Sequence, residues 1–131
     1  MAEQEKQTLS KKERLNSLIL VEKLFSGGSK SLPAFPLRIV YMPVDNEELP
    51  DVSILISVPK KRFKHAVDRN RVKRQIREAY RKNKSLLVEP LKASGKKAVI
   101  AFIWLDNELR PSAEVEEKVK KLLQLTAERM Q

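Results

Sequence analysis

With 131 residues, 41% of them hydrophobic, the chain is sized for one modest core, and the lack of cysteine with a single histidine, His65, excludes disulfides, thiolate metal sites and histidine-rich metal centres. No apolar run nears the roughly 20 residues a bilayer demands, and residues 1–10 lack the hydrophobic stretch of a secretory signal, so a cytoplasmic protein with no membrane partner is expected. The net charge is +10, and the whole excess sits in residues 59–84, where 12 basic residues face only Asp68 and Glu78. The remainder carries 15 basic and 15 acidic residues and is neutral, so the charge is a patch suited to a polyanion, not a dispersed aid to solubility.

Residues 1–9 read as a flexible tail of a single domain spanning 1–131. Ser10-Lys11-Lys12-Glu13 has the pattern of a capping box. Leu15, Leu18, Ile19, Val21, Leu24 and Phe25 then recur at near-helical spacing until Gly27-Gly28 ends the helix. A strand is expected over residues 37–41, between Pro36 and Pro43, and an acidic connection over 43–50. Residues 52–58 form a second strand, apolar enough to be well buried, and Pro59 stops it. A basic loop then leads to a helix from Val67 or Asp68 to beyond Arg81, with Asp68 as N-cap. Pro90 and Gly95 mark a loop, residues 98–105 a third strand, and Ser112 opens a closing helix with Val115, Val119, Leu122 and Leu123 on its apolar face. The order implies an α/β domain with helices against one face of a small sheet.

The basic helix is sorted by face. Stepping about 100° per residue from Arg69 puts Val72, Ile76, Ala79 and Tyr80 on one apolar arc. Lys73, Arg77, Asn70, Arg81 and Arg74 form a contiguous stripe beside it, and Arg71, Gln75, Glu78 and Lys82 take the solvent side. Arginine dominates, and its planar fork matches phosphate oxygens bidentately. Glu78 has Arg74 and Arg81 within helical reach, but two acids cannot neutralise twelve bases, so a merely solvated face is the weaker reading. His65 has no assigned role.

Ser57-Val58-Pro59-Lys60-Lys61, followed by Ala66-Val67-Asp68-Arg69-Asn70-Arg71-Val72-Lys73-Arg74-Gln75-Ile76-Arg77-Glu78-Ala79-Tyr80-Arg81, closely resembles the signature of the bacterial ribonuclease P protein family. The resemblance implies an α+β two-layer sandwich in which the Arg-Asn-Arg helix makes a left-handed βαβ crossover, against the usual right-handed rule. It implies a protein subunit that binds a catalytic RNA and precursor tRNA and assists removal of the 5′ leader. It implies further that the chemistry belongs to Mg2+ ions held by the RNA. No catalytic or metal-binding side chain and no obligate protein partner are assigned. The implied RNA-facing set is Lys60, Lys61, Arg62, Arg69, Asn70, Arg71, Lys73, Arg74, Arg77 and Arg81. The implied leader cleft uses Val21, Phe25, Arg38, Ser57 and Lys61, although Phe25, last in its apolar series, serves equally as core. The chain departs from the family's pattern at Pro59, at Arg38 where an aromatic is common, and at Phe102-Ile103-Trp104.

Three rivals share some of these features. A ribosomal binding protein would carry similar charge, but not the ordered Lys-Lys, Arg-Asn-Arg, Lys-Arg, Arg-Glu series. A DNA-recognition helix is usually housed in a small all-helical unit. A protein-only nuclease would need clustered carboxylates or a histidine base, and neither pattern is present.

Overall fold

The computed structural model describes residues 24, 29–45 and 47–130. The expected tail, the expected first helix apart from Leu24, and the leader residues Val21 and Phe25 lie outside the described residues. Strands β1 (Lys30–Ala34), β2 (Leu37–Val44), β3 (Val52–Ser57) and β4 (Lys97–Trp104) make one sheet in the order β1-β2-β4-β3. Pairings β1–β2 and β2–β4 are antiparallel, and β3–β4 is parallel. Helices α1 (Ala66–Asn83), α2 (Ser85–Ala93) and α3 (Ser112–Met130) complete the described chain, with α1 and α2 in the crossover between the parallel strands.

Strand side chains alternate between faces, and β4 shows how the sheet is used. Ala98, Ile100, Phe102 and Trp104 join the main core with Val72, Ile76 and Tyr80 of α1 and with Val115, Val119, Leu122 and Leu123 of α3. Tyr80 and Phe102 meet edge to face, ring centroids 6.4 Å apart. Val99 and Ala101 point the other way and form a second cluster with Val40 and Leu24. The sheet is therefore packed on both faces, the helices α1–α3 covering only one.

Several local expectations change. β1 was not anticipated: Lys30-Ser31-Leu32-Pro33-Ala34 is polar and holds a proline, a composition tolerated at a sheet edge. β2 runs through Pro43 to Val44 because β1 begins only at Lys30, opposite Tyr41, so Pro43 lies outside the β1 ladder and its missing N–H costs no bond there. β3 is an edge strand and is half-buried from Leu55 onward, despite an apolar run that suggested full burial. The segment around Pro90 is a helix, α2, with Leu87 and Leu91 buried one turn apart. Its end is a Schellman-type turn: the Lys96 amide donates to Leu91 and the Gly95 amide to Lys92, with Gly95 at φ +69°. His65, not Asp68, takes the N-cap position of α1, without a side-chain bond, and Asp68 lies in the first turn, where its charge still suits the helix dipole.

Candidate nucleic-acid interface

The four predicted apolar residues of α1 are all buried, which fixes the rotation of the helix. One flank then meets α3. Gln75 Nε2 donates to the Arg110 carbonyl at 2.9 Å and to Ser112 Oγ at 3.0 Å, while Asn83 Nδ2 donates to Glu116 at 3.1 Å and Lys82 faces the same carboxylate. Gln75 is thus an inter-helix strut and not a solvent residue. Because α3 crosses β1 and β2 while α1 lies against β3, the opposite flank of α1 looks out past the β3 edge. That flank holds Asn70, Lys73, Arg74, Arg77 and Arg81, with Arg71 facing solvent. Lys73 and Arg77 are half-buried, laying their stems beside the core, and Asn70, Arg71, Arg74 and Arg81 are exposed.

Among the described residues Glu78 is the one acid beside this edge. Arg81 donates to it through Nε at 3.1 Å and Nη2 at 2.5 Å, and these bonds hold the Glu78 carboxyl below its ordinary range. The pair is solvent-exposed, so screening weakens it and a phosphate can compete for Arg81.

The basic loop between β3 and α1 is held at both ends. Val58 and Phe63 are buried in the core, and the Arg62 amide closes a turn onto the Pro59 carbonyl at 3.0 Å. Lys60, Lys61 and Lys64 are left exposed. Two motif arginines turn inward instead. Arg69 Nη1 donates to the carbonyls of Phe63 (2.7 Å) and Lys64 (3.3 Å), clamping the loop to the first turn of α1. Arg62 reaches Asn107 at 3.4 Å and has its Nε buried without a partner among the described residues. The ten residues expected to face RNA therefore divide into eight that present charge or amide outward and two that shape the loop. Phe63 was the available signal for this, a lone large apolar residue inside a basic run.

The expected leader residues that are described come together through sheet register. Arg38 of β2 pairs with Ile103 of β4, and Ile103 pairs with Ser57 of β3, so the three lie in one row on the face that carries Leu24. Two inter-strand steps put Arg38 and Ser57 about 10 Å apart. Lys61 follows in the loop beyond Ser57. Ile103 supplies a half-buried apolar floor between a cation and a hydroxyl.

The side facing residues 105–111 is different in charge. Arg110 is held by Asp106 (2.7 Å) and Glu114 (2.5 Å) and its guanidinium lies 5.2 Å from the centre of the Phe35 ring. Burial pushes the Asp106 carboxyl up, but bonds from Arg110 and the Asn107 amide outweigh it and the net shift is downward. This neutralised corner bounds the basic surface. Among the described residues no three of His, Asp or Glu gather as a metal-binding group, and no helix is long and apolar enough to cross a membrane.

The family model described as Ribonuclease P matches residues 9–126. The ribonuclease P protein component of Porphyromonas gingivalis is 44% identical over 115 residues, covering 88% of this chain and 83% of that protein. That of Chlorobaculum tepidum is 37% identical over 91 residues, covering 64% and 58%. Among solved structures, the RNase P protein of Thermotoga maritima superposes with a TM-score of 0.65 at 26% identity, over 86% of this chain and 96% of that one. The Staphylococcus aureus protein gives 0.67 at 20% identity, over 87% and 94%.

Proposed function

The chain belongs to the ribonuclease P protein family, and we propose that it is the RNA-binding subunit of a ribonucleoprotein that removes the 5′ leader of precursor tRNA. The observation that carries this reading is the outward flank of α1. Asn70, Lys73, Arg74, Arg77 and Arg81 share one helix edge, turned away from α3 and continued by exposed Lys60 and Lys61. Arginine forks on a rigid helix read phosphate geometry without needing base contacts. The catalytic RNA is the partner for this edge, and the Arg38–Ile103–Ser57 row with Lys61 receives single-stranded leader. On this reading Mg2+ is held by the RNA, where it supplies the chemistry of cleavage. The protein's part is to bind and orient, in the cytoplasm.

Binding should be steeply salt-dependent. If six to eight of these side chains meet phosphates, log K against log salt should have a slope of about −4 to −7. Filter or fluorescence titrations with a bacterial ribonuclease P RNA at several salt concentrations measure it. A slope near zero would return α1 to the status of a solvated face.

The leader row makes a separate claim. Arg38→Ala should lower the preference for precursor over mature tRNA by roughly 2- to 5-fold, because an exposed charge contact contributes up to about 1 kcal/mol. Parallel titrations of both tRNAs against the assembled particle decide it, and an unchanged preference removes Arg38 from the cleft.

A further inference from the structure

Outside residues 59–84 the sequence is charge-neutral, but folding does not leave it evenly mixed. At the end of the sheet remote from the basic loop lies a groove of about 590 Å³, lined by Lys30, Lys96, Lys97 and Arg129 with Tyr41 on its apolar side. Those four cations come from the start of β1, the turn into β4, the first residue of β4 and the last turn of α3. Among the described residues only Asp45 opposes them in the lining, and Asp51 pairs with Lys97 at 3.9 Å.

The arrangement is built from identifiable contacts. The positive φ of Gly95 turns the chain out of α2, so that Lys96 Nζ donates to the Met130 carbonyl at 2.6 Å, at the negative end of α3. Lys97 Nζ donates to the Leu49 carbonyl at 2.6 Å. The bond to a neutral carbonyl leaves the Lys96 charge in place, Asp51 offsets part of the Lys97 charge, and each ammonium retains further N–H donors. Lys30 stands opposite Tyr41 in the β1–β2 ladder and so lies on the helix side of the sheet, facing the end of α3. Lys30 and Arg129 are exposed.

We infer that this groove is a second anion site that takes the phosphate of a nucleotide, with the exposed Pro43 beside it to meet the sugar or base. The inference rests on the RNA-binding reading above for one source of that phosphate, an RNA strand; a free nucleotide is the other. The eight residues of β4 separate this end from the basic loop by about 23 Å. An RNA reaching both would be gripped at two ends of the sheet.

The test uses the full chain with Lys30→Gln and Arg129→Gln combined, folding being checked by circular dichroism, and with Arg74→Ala/Arg77→Ala as a reference. In one arm, the salt slope for a bacterial ribonuclease P RNA should become shallower by about 1 to 2 in the groove variant, since each phosphate contact contributes about 0.9. In the other, millimolar ADP without RNA should shift the backbone amide resonances of Lys30, Tyr41 and Lys96 in the unmodified protein and not in the groove variant. A change in the RNA arm alone assigns the site to RNA, and a response to ADP alone assigns it to free nucleotide. If neither arm responds while Arg74→Ala/Arg77→Ala weakens RNA binding, the groove binds no phosphate and the inference is wrong. If Arg74→Ala/Arg77→Ala also leaves RNA binding intact, the RNA-binding reading fails, and the ADP arm decides the groove by itself.

Discussion

Replacing Arg74 and Arg77 together with alanine should weaken assembly with the catalytic RNA by about 100-fold or more, whatever tRNA is present. Arg74 is exposed on the outward edge of α1, and Arg77 stands on the same edge one turn nearer the core. A hydrogen bond to a charged group contributes roughly 1.5–3 kcal/mol, and each 1.4 kcal/mol is tenfold in affinity. Neither residue belongs to the apolar set Val72, Ile76, Ala79 and Tyr80, so the helix should stay folded. Direct titration with the RNA, with thermal melts of the free proteins as control, measures the loss. Folded protein that binds within about threefold of the unmodified chain would mean that the edge does not meet RNA.

Arg69→Ala should also weaken assembly, by roughly 10- to 50-fold, but by a different route. Its guanidinium holds the carbonyls of Phe63 and Lys64, so its removal frees the loop that presents Lys60 and Lys61. The distinguishing experiment is a mutant cycle with Lys60→Ala/Lys61→Ala. If Arg69 acts through the loop, the combined variant should lose little more than the weaker of its two parents, a strongly non-additive result. Arg69→Lys should recover only part of the loss, since both bonds leave the single Nη1 atom and the shorter lysine stem does not place its ammonium at the same point. Trypsin should also cut native Arg69→Ala protein faster after Lys60 or Lys61 than it cuts Arg74→Ala protein. Full additivity with unchanged proteolysis would make Arg69 a direct RNA contact.

Arg69 and Arg74 show what sequence could and could not reveal. The rotation of α1 was legible because its four apolar residues recur at helical spacing and all four are buried. β2, β3, β4 and α3 followed from apolar runs bounded by proline, glycine or serine. β1 and α2 did not, because Pro33 and Pro90 are breakers in isolation yet sit at a sheet edge and in a short packed helix. Arg69 looked like Arg74 because binding a phosphate and bonding a carbonyl call for the same side chain. Only three-dimensional neighbours separate the two roles. The Arg38–Ile103–Ser57 row depends on register across three strands, two of them joined by a crossover of some 40 residues that no local pattern encodes. The groove cations were invisible for a related reason: they lie in three segments far apart in the sequence, each unremarkable in charge.

The most direct measurement of the central claim is 5′ cleavage of precursor tRNA at low magnesium, with a bacterial ribonuclease P RNA alone, this protein alone, and the two together. Cleavage should appear only, or overwhelmingly, in the combined reaction, with the 5′ end of mature tRNA as product. Rigorously RNA-free protein should give none at any magnesium concentration. Cleavage by the protein alone, or a combined reaction no faster than the RNA alone, would contradict that claim.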